Sequence, residues 1–333
     1  MKRLFRNERY EIGFENRNRS GSRGVRLINF DGNPWGTLLL PRAMGAHLAE
    51  ASMAGVNYHM HNEFCDGEGS IEDYVRAGME RGFAALGFSS HAPIPVENDW
   101  TLNEERLGLY LTELERQRKK WNGRIEIYKG LEIDYIPGSQ SPEDFRWSRL
   151  GLDFAIASVH CTCPLERNPN YACVDSSENA IKWLLDNIYQ GSFELLSEAY
   201  FARIAELVRL DGFDILAHFD VIKKRNSDGK YFSENALWYR RHVALALEAL
   251  AASDKIMELN TGAICRNAMD VVYPSPWILA DAAKRDIRII INSDAHRPRD
   301  IDCYFEESIA LCKDVGYNEQ WALLNGAWTA LSI

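Results

Sequence analysis

The chain has 333 residues, and 38 basic against 48 acidic side chains give it a net charge of −10. This charge disfavours non-specific nucleic-acid binding, because the phosphate backbone attracts a basic protein surface. The apolar stretch at residues 36–55 is interrupted by Pro41, Arg42, His47 and Glu50, which excludes a membrane span there.

Two unequal parts follow one another along the chain. Residues 1–52 begin with an arginine-, asparagine-, glycine- and serine-rich stretch and show no sustained period, so we expect a poorly ordered N-terminal extension. From Met53 onward, strand and helix signals alternate, and residues 53–333 are predicted to form one domain. No signal peptide is recognisable and the seven cysteines include no CxxC pair, so we predict a cytoplasmic protein with reduced cysteines.

Seven strands are predicted in the second part, near residues 56–61, 83–89, 125–133, 153–160, 213–219, 255–260 and 287–293. Amphipathic helices are predicted between them at 70–81, 103–121, 178–210 (two helices divided near Gly191), 233–252 and 275–285, with a last helix near 304–315. Strands separated by helices indicate a parallel sheet with crossover connections. We therefore predict an α/β fold, and the length of the second part is typical of a β/α barrel.

Metal-binding side chains recur where the predicted strands end. Six of the eight histidines lie there, and a barrel of parallel strands collects such residues at its C-terminal face. His59 and His61 alternate along one strand, so both side chains leave the same face. Imidazole and carboxylate ligands suit zinc, manganese or iron. The candidate metal ligands are His59, His61, Asp66, His91, Glu132, His160, His218, Asp294 and His296.

Nine ligands are too many for one ion, so we predict two or three divalent transition-metal ions. Closely spaced ions can bind both the attacking and the leaving oxygen of a phosphoryl group. For Asp66 an alternative is open, because Cys65-Asp66-Gly67 is also typical of a turn.

The order of these motifs resembles that of the PHP (polymerase and histidinol phosphatase) family over roughly residues 56–312. The contexts Ser158-Val159-His160, Ala217-His218-Phe219-Asp220 and Glu258-Leu259-Asn260-Thr261 are similar to those of its histidinol-phosphate phosphatase branch. The resemblance implies a distorted seven-stranded, TIM-like (β/α)7 barrel that holds up to three ions. It further implies a first ion on His59, His61, Glu132 and Asp294, a second on Asp66, His91 and His296, and a third on His160 and His218 with Glu132 as the bridge.

A phosphatase must also bind the rest of the phosphate, and basic residues beyond the strand ends are candidates: Lys223, Lys224, Arg225, Arg266 and Arg297. Arginine binds phosphate with two parallel hydrogen bonds, whereas lysine supplies a point charge. Resemblance to the phosphatase branch favours Arg266 together with one of the three cations after the fifth predicted strand, residues 223–225. For residues 223–225 a solvated loop is the alternative.

The expected activity is metal-dependent hydrolysis of a small phosphomonoester, most simply histidinol phosphate, within histidine biosynthesis. We expect in-line attack on phosphorus by a hydroxide that bridges two ions, with Glu132 and Asp294 holding the ions and Arg266 stabilising the charge on the phosphoryl oxygens.

Other functions remain open at this stage. Another small phosphorylated metabolite is the nearest alternative substrate. A nuclease or exonuclease is disfavoured by the acidic charge and by the lack of a recognisable polymerase or DNA-binding segment. An amidohydrolase or deaminase would need a carboxylated lysine or an HxE element on a helix, and neither is recognisable. We predict no nucleic-acid or membrane partner, and the sequence leaves the oligomeric state open.

Overall fold

Parallel strands alternate with helices along most of the part of the chain that the computed structural model describes, residues 55–333. The prediction of a poorly ordered extension at residues 1–52 lies outside that part. The parallel strands are β1 (Gly55–Asn57), β2 (Phe83–Phe88), β3 (Glu126–Lys129), β4 (Glu132–Asp134), β5 (Ile156–Ser158), β6 (Ile215–Leu216), β7 (Ile256–Asn260) and β8 (Ile289–Asn292). The predicted α/β class with parallel strands is thereby confirmed.

The helices are α1 (Ile71–Glu80), α2 (Glu104–Lys120), α3 (Phe145–Ser148), α4 (Glu178–Asn187), α5 (Phe193–Leu207), α6 (Leu237–Ala251), α7 (Gly262–Cys265), α8 (Pro276–Ala283) and α9 (Phe305–Val315). Polar N-caps fix several of their starts. Ser70 forms a capping box with Asp73, and Ser192 separates α4 from α5 close to the predicted break. Within the described residues, no helix is both long enough and apolar enough to cross a membrane.

The parallel strands form two sheets, β1-β2-β3 and β4-β5-β6-β7-β8, instead of one continuous barrel sheet. Two single bridges link the sheets: Met60, after β1, pairs with Ala295, after β8, and His91, after β2, pairs with Glu132 on β4. The predicted strand count of seven is wrong, because the strand expected at 125–133 is divided into β3 and β4. At the division the Phe154 ring packs on Gly130, where an added Cβ would lie 2.3 Å from a ring carbon.

The interior between the sheets is filled by side chains of both, including Val56, Ala85, Ile215 and Ile290, in one buried cluster. A C-terminal hairpin, which was not predicted from the sequence, packs against this cluster. It consists of β9 (Glu319–Leu324) and β10 (Ala327–Ser332), which pair antiparallel. The Tyr58 hydroxyl donates to the Leu323 carbonyl at 2.6 Å, so the hairpin is tied to the first strand segment.

The prediction that all cysteines are reduced is wrong for one pair. Cys265 and Cys303 form a disulfide between α7 and the segment that precedes α9. The other five cysteines, Cys65, Cys161, Cys163, Cys173 and Cys312, are free and buried. The bridge joins the loop after β7 to the loop after β8, and both loops carry candidate site residues.

Candidate metal centre

All nine predicted metal ligands lie together at the C-terminal ends of the parallel strands. Their ligand atoms form overlapping groups in which every atom lies within 4.8 Å of the others. Eight of the nine side chains are at most about one-fifth exposed, and only Asp66 reaches 32%. Because these residues come from segments that are far apart in the chain, the parallel arrangement of the strands is what brings them together.

The first group surrounds one oxygen of Glu132. Glu132 Oε2 lies 3.2 Å from His59 Nε2 and 3.5 Å from His61 Nε2. Asp294 Oδ1 lies 3.3 Å from His61 Nε2 and 3.8 Å from His59 Nε2. These are the four residues that the family resemblance implied for the first ion.

The second group surrounds Asp66. Its carboxylate lies 3.2 Å from His296 Nε2, 3.9 Å from His91 Nε2 and 3.6 Å from His61 Nδ1. Asp66 does lie in a turn, as the alternative interpretation proposed, but its carboxylate faces these imidazoles. The inclusion of His61 was not predicted, since the resemblance placed His61 with the first ion alone.

The third group uses the other oxygen of Glu132. Glu132 Oε1 lies 3.1 Å from His218 Nε2, and the His160 ring lies beside His218 with ring centroids 4.9 Å apart. The two oxygens of one carboxylate thus face different groups of histidines. This is the geometry that a bridging ligand requires.

Buried carboxylates behind the cluster fix the orientation of its histidines. Glu258 Oε1 lies 2.6 Å from His59 Nδ1, and Glu258 Oε2 accepts from the His218 backbone N–H at 2.9 Å. Asp134 Oδ1 lies 2.8 Å from His160 Nδ1. The contacts to His59 and His160 each occupy one ring nitrogen and leave the other for the centre, which is the usual outer arrangement of metal-binding histidines.

Glu258 and Asp134 were not predicted to belong to the site, although the sequence carries a signal for each. Glu258 belongs to one of the motifs quoted for the family resemblance. Asp134 follows Glu132 by two positions on β4, so strand alternation places both on one face.

Carboxylates control the protonation of the cluster histidines in the metal-free chain. Burial opposes protonation, but the surrounding carboxylates raise the pKa of His91 to about 10, that of His160 to about 9, and that of His59 well above its ordinary value. Burial and the neighbouring imidazoles instead lower the pKa of His61 to about 3. In the metal-free chain, protonated histidines therefore offset the negative charge of the carboxylates, as bound metal ions would do.

The carboxyl groups of the centre are held ionised. Burial raises the pKa of Glu132, but His91 and His59 outweigh it and hold the pKa well below its ordinary range. Burial likewise raises the pKa of Asp294, and Arg266 and His59 hold it well below that range. Ionised carboxylates are the form that binds a divalent cation.

The residues present fit a set of metal ions. His218 Nδ1 is buried without a hydrogen-bond partner, and such an atom is costly to leave unsatisfied. His61 Nε2 and His91 Nδ1 face carboxylate oxygens at 3.3 Å and 2.9 Å but lack hydrogen-bond geometry. Asp294 adopts a left-handed backbone with φ of 47°, a conformation that concentrates at functional sites. The mixture of imidazole and carboxylate, with no cysteine in any group, matches zinc, manganese or iron.

Arg266 is the one candidate phosphate ligand that lies directly at the cluster. Its guanidinium donates to the Asp294 carbonyl at 2.5 Å and to Asp294 Oδ2 at 3.0 Å, and it lies 2.9 Å from His296 Nδ1. A Cβ at Gly262 would lie 2.9 Å from the guanidinium, so glycine permits this close approach. The side chain is 28% exposed, which leaves part of its donor edge accessible.

The other basic candidates lie elsewhere. Lys223 is 1% exposed, and its ammonium bonds to Asp220, Ser275 and the Val272 carbonyl. The prediction that Lys223 contacts the substrate is therefore corrected, because the side chain belongs to the protein core.

Lys224 lies nearer to the centre. Its ammonium donates to Asp175 at 2.9 Å. Burial raises the pKa of Asp175, but Lys224 and the cluster residue His160 outweigh burial and hold that pKa below its ordinary value. Arg297 pairs with Asp300 at 2.8 Å, and no contact joins it to the nine ligands among the described residues.

Comparison with known proteins decides the family. The sequence model of the PHP domain matches residues 57–262, which is more than half of the chain and includes seven of the nine candidate ligands. The chain belongs to the PHP domain family. The family assignment expected from the motifs is thereby confirmed.

Several proteins are similar to this PHP chain. The histidinol-phosphatase of Bacillus subtilis is 26% identical over 269 residues, which cover 76% of this chain and 98% of that protein. A DNA polymerase/3'-5' exonuclease of Bacillus subtilis is 28% identical over 115 residues, but they cover only 19% of its length.

A solved structure shares the fold. The histidinol phosphate phosphatase of Lactococcus lactis subsp. lactis, in complex with zinc, L-histidinol and phosphate, has a TM-score of 0.61 and 21% sequence identity. The match covers 82% of this chain and 98% of that one.

Proposed function

We propose that this PHP chain is a metal-dependent phosphatase that hydrolyses histidinol phosphate to histidinol and phosphate. The observation that carries the proposal is the junction of ligand groups at Glu132, with the half-buried Arg266 beside them. This arrangement provides for several cations and one guanidinium within a single site, as a phosphomonoester dianion requires. The similarity to a histidinol-phosphatase over 98% of that protein's length supports this choice of substrate.

Two or three divalent ions, when bound, supply the Lewis-acid chemistry that lowers the pKa of water and neutralises charge on a phosphoryl group. The chain's own residues hold the components in place. Glu132 contributes one oxygen to each of two histidine groups, and Glu258 and Asp134 keep His59 and His160 in the ligating orientation. We assign Arg266 to the phosphoryl oxygens, with Asp294 fixing the guanidinium.

The nearest alternative is another small phosphomonoester, because the ligand groups contact phosphate in the same way whatever the alcohol. A nuclease function receives less support, since the similarity to the polymerase is confined to a short stretch and the chain is acidic. We retain a cytoplasmic location as part of the proposal.

We further propose that the two linked sheets act as the distorted barrel of this family and that residues 53–333 form a sufficient domain. A chain that starts at Met53 should then retain its bound ions and its kcat/KM. A large loss of either would assign residues 1–52 to the folded unit.

A phosphate-release assay tests the proposed activity. The full chain, loaded separately with zinc, manganese or iron, is supplied with histidinol phosphate, other small phosphomonoesters and a short DNA. Histidinol phosphate should give the highest kcat/KM, and chelation should abolish it. His218→Ala should lose activity, whereas His242→Ala should retain it, because His242 lies on α6 and contacts Ser197 instead of the cluster. Faster hydrolysis of DNA, or release from no monoester, would contradict the proposal.

A further inference from the structure

A loop at residues 92–102, here called the Trp100 loop, starts and ends beside the candidate metal ligand His91. It begins directly after His91, and the Leu102 backbone N–H donates to the His91 carbonyl at 3.0 Å. Pro93 and Pro95 restrict its backbone. The loop is therefore anchored to a residue of the second ligand group.

Asn98 fixes the position of Trp100 within this loop. Asn98 Oδ1 accepts from the backbone N–H of Trp100 at 3.1 Å and of Thr101 at 2.8 Å, and Asn98 Nδ2 donates to the Val96 carbonyl at 2.8 Å. These bonds are made within the loop and involve no ligand of the centre. The indole is thus placed before any substrate arrives.

The indole ring borders the cluster. It meets His91 edge to face with ring centroids 4.9 Å apart, and it stacks on Tyr171 at 6.2 Å with an interplanar angle of 19°. The Tyr171 hydroxyl bonds to Asp134, the carboxylate that orients His160. Trp100 therefore contacts His91 of the second ligand group and is linked through Tyr171 and Asp134 to His160 of the third. The indole is half-buried.

Arg266 and Trp100 lie at opposite ends of a row of imidazole rings. Arg266 contacts His296, the His296 ring lies 4.3 Å from that of His61, the His61 ring lies 4.3 Å from that of His91, and His91 contacts Trp100. When Arg266 holds the phosphate at one end of this row, the alcohol half of the ester can extend toward Trp100 at the other end. That end presents an aromatic surface.

We infer that Trp100 determines specificity by packing against a planar or cationic ring in the alcohol half of the substrate, an inference that rests on the proposed phosphatase function. Aromatic rings pack favourably on one another, and a protonated imidazole or an amine also gains from the negative face of an indole. The half-buried Ile94, Val96 and Leu165 pack, like the indole, against the buried cluster that contains Tyr171, and they add to the apolar surface of this region. Phosphomonoesters with a flat ring, such as histidinol phosphate, are the substrate class that this surface would select.

The test compares substrates with and without a ring. Trp100→Ala should lower kcat/KM for histidinol phosphate by about 10-fold or more, while kcat/KM for glycerol phosphate changes by less than about twofold. Trp100→Phe should recover most of the lost selectivity. Inhibition by inorganic phosphate should be the same in all forms, because the phosphate lies toward Arg266.

Trp183→Ala is the matched control, since Trp183 is a half-buried tryptophan on α4 and contacts no ligand residue of the centre. It should leave both substrates unaffected. Equal losses on both substrates in Trp100→Ala, or no loss on either, would overturn the inference while leaving the phosphatase proposal intact.

A binding measurement separates the inference from the phosphatase proposal. Calorimetric titration of the zinc-loaded chain with L-histidinol should show binding that is at least about fivefold weaker in Trp100→Ala than in the wild type. Equal affinities would reject the role of Trp100 whether or not the wild-type chain hydrolyses the ester. Absence of hydrolysis with this difference in affinity preserved would instead reject the phosphatase proposal alone.

Discussion

Replacement of Glu258 by glutamine should weaken metal binding although Glu258 is not itself a candidate ligand. Its carboxylate is fully buried and accepts four hydrogen bonds. Oε1 accepts from His59 Nδ1 at 2.6 Å and Asn292 Nδ2 at 3.0 Å, and Oε2 accepts from the His218 backbone N–H at 2.9 Å and Asn260 Nδ2 at 2.9 Å.

The amide of glutamine can replace only one of these oxygens. Two donors would then face an NH2 group, and each buried donor left without an acceptor costs about 1–3 kcal/mol. Whichever oxygen is replaced, the affected pair includes His59 or His218. Loss of such an outer contact reduces metal affinity by about 10–100-fold, and we expect Glu258→Gln to fall in that range.

Competition between the zinc-loaded chain and a chelator measures this affinity directly. Glu126→Gln is the matched control, because Glu126 also accepts hydrogen bonds, from Tyr128 and the Asn325 backbone, but lies at the start of β3 away from the cluster. The control should bind zinc as the wild type does. An affinity of Glu258→Gln within about twofold of the wild-type value would refute the orienting role.

Three further outcomes are expected. Glu132→Ala should retain fewer ions in elemental analysis than His91→Ala, because both Glu132 oxygens face ligand groups, and equal content in the two variants would contradict the bridge. Arg266→Ala should raise KM and lower kcat/KM for histidinol phosphate by about 1.5–3 kcal/mol with its ions retained, and unchanged kinetics would remove Arg266 from the phosphate site. The metal-free chain should lose stability as the pH rises, because the pKa values of His91 and His160 are raised in the folded state. Their protonation stabilises the fold fully below the ordinary histidine pKa of 6.5, and this stabilisation is lost as the pH rises through the folded pKa of His160, about 9, and that of His91, about 10. Thermal unfolding at pH 6–10 measures the last effect, and a metal-free stability that rises with pH would contradict it.

The ligand set could be predicted because its positions follow a simple rule. Parallel strands place their C-terminal ends on one face, so a histidine or carboxylate after each apolar run is brought to a common site. His91 and His218 carry little information alone, but their recurrence at strand ends does. The rule gives a residue's position relative to a strand end but not the direction of a long side chain, so the basic residues near the strand ends were harder to assign.

Lys223 illustrates this difficulty. Position along the chain placed it beyond a strand end, but its side chain turns inward to the buried Asp220. A buried lysine is rare without a carboxylate partner, and that partner lies only three positions earlier in the sequence. Only the three-dimensional path of the 221–225 turn shows that the two meet.

The division of the third predicted strand depended on a long-range contact. Residues 125–133 read as one strand, but Phe154 packs on Gly130 and the chain changes sheets there. A local pattern holds no information about a ring that approaches from a distant segment, here the one that precedes β5.

The C-terminal hairpin, in contrast, had a local signal. Its turn is Asn325-Gly326, both with positive φ, and this dipeptide is a strong predictor of a tight hairpin. The Cys265–Cys303 pair had none, since cysteines 38 residues apart give no local pattern.

The central claim is that several ions held through Glu132 are required to hydrolyse histidinol phosphate. It is tested most directly by adding zinc in steps to the metal-free chain while bound zinc and phosphate release are measured on the same samples. We predict that activity appears only when the second ion binds and is complete at two or three ions per chain. Full activity with one ion per chain, or in the chelated protein, would contradict the claim.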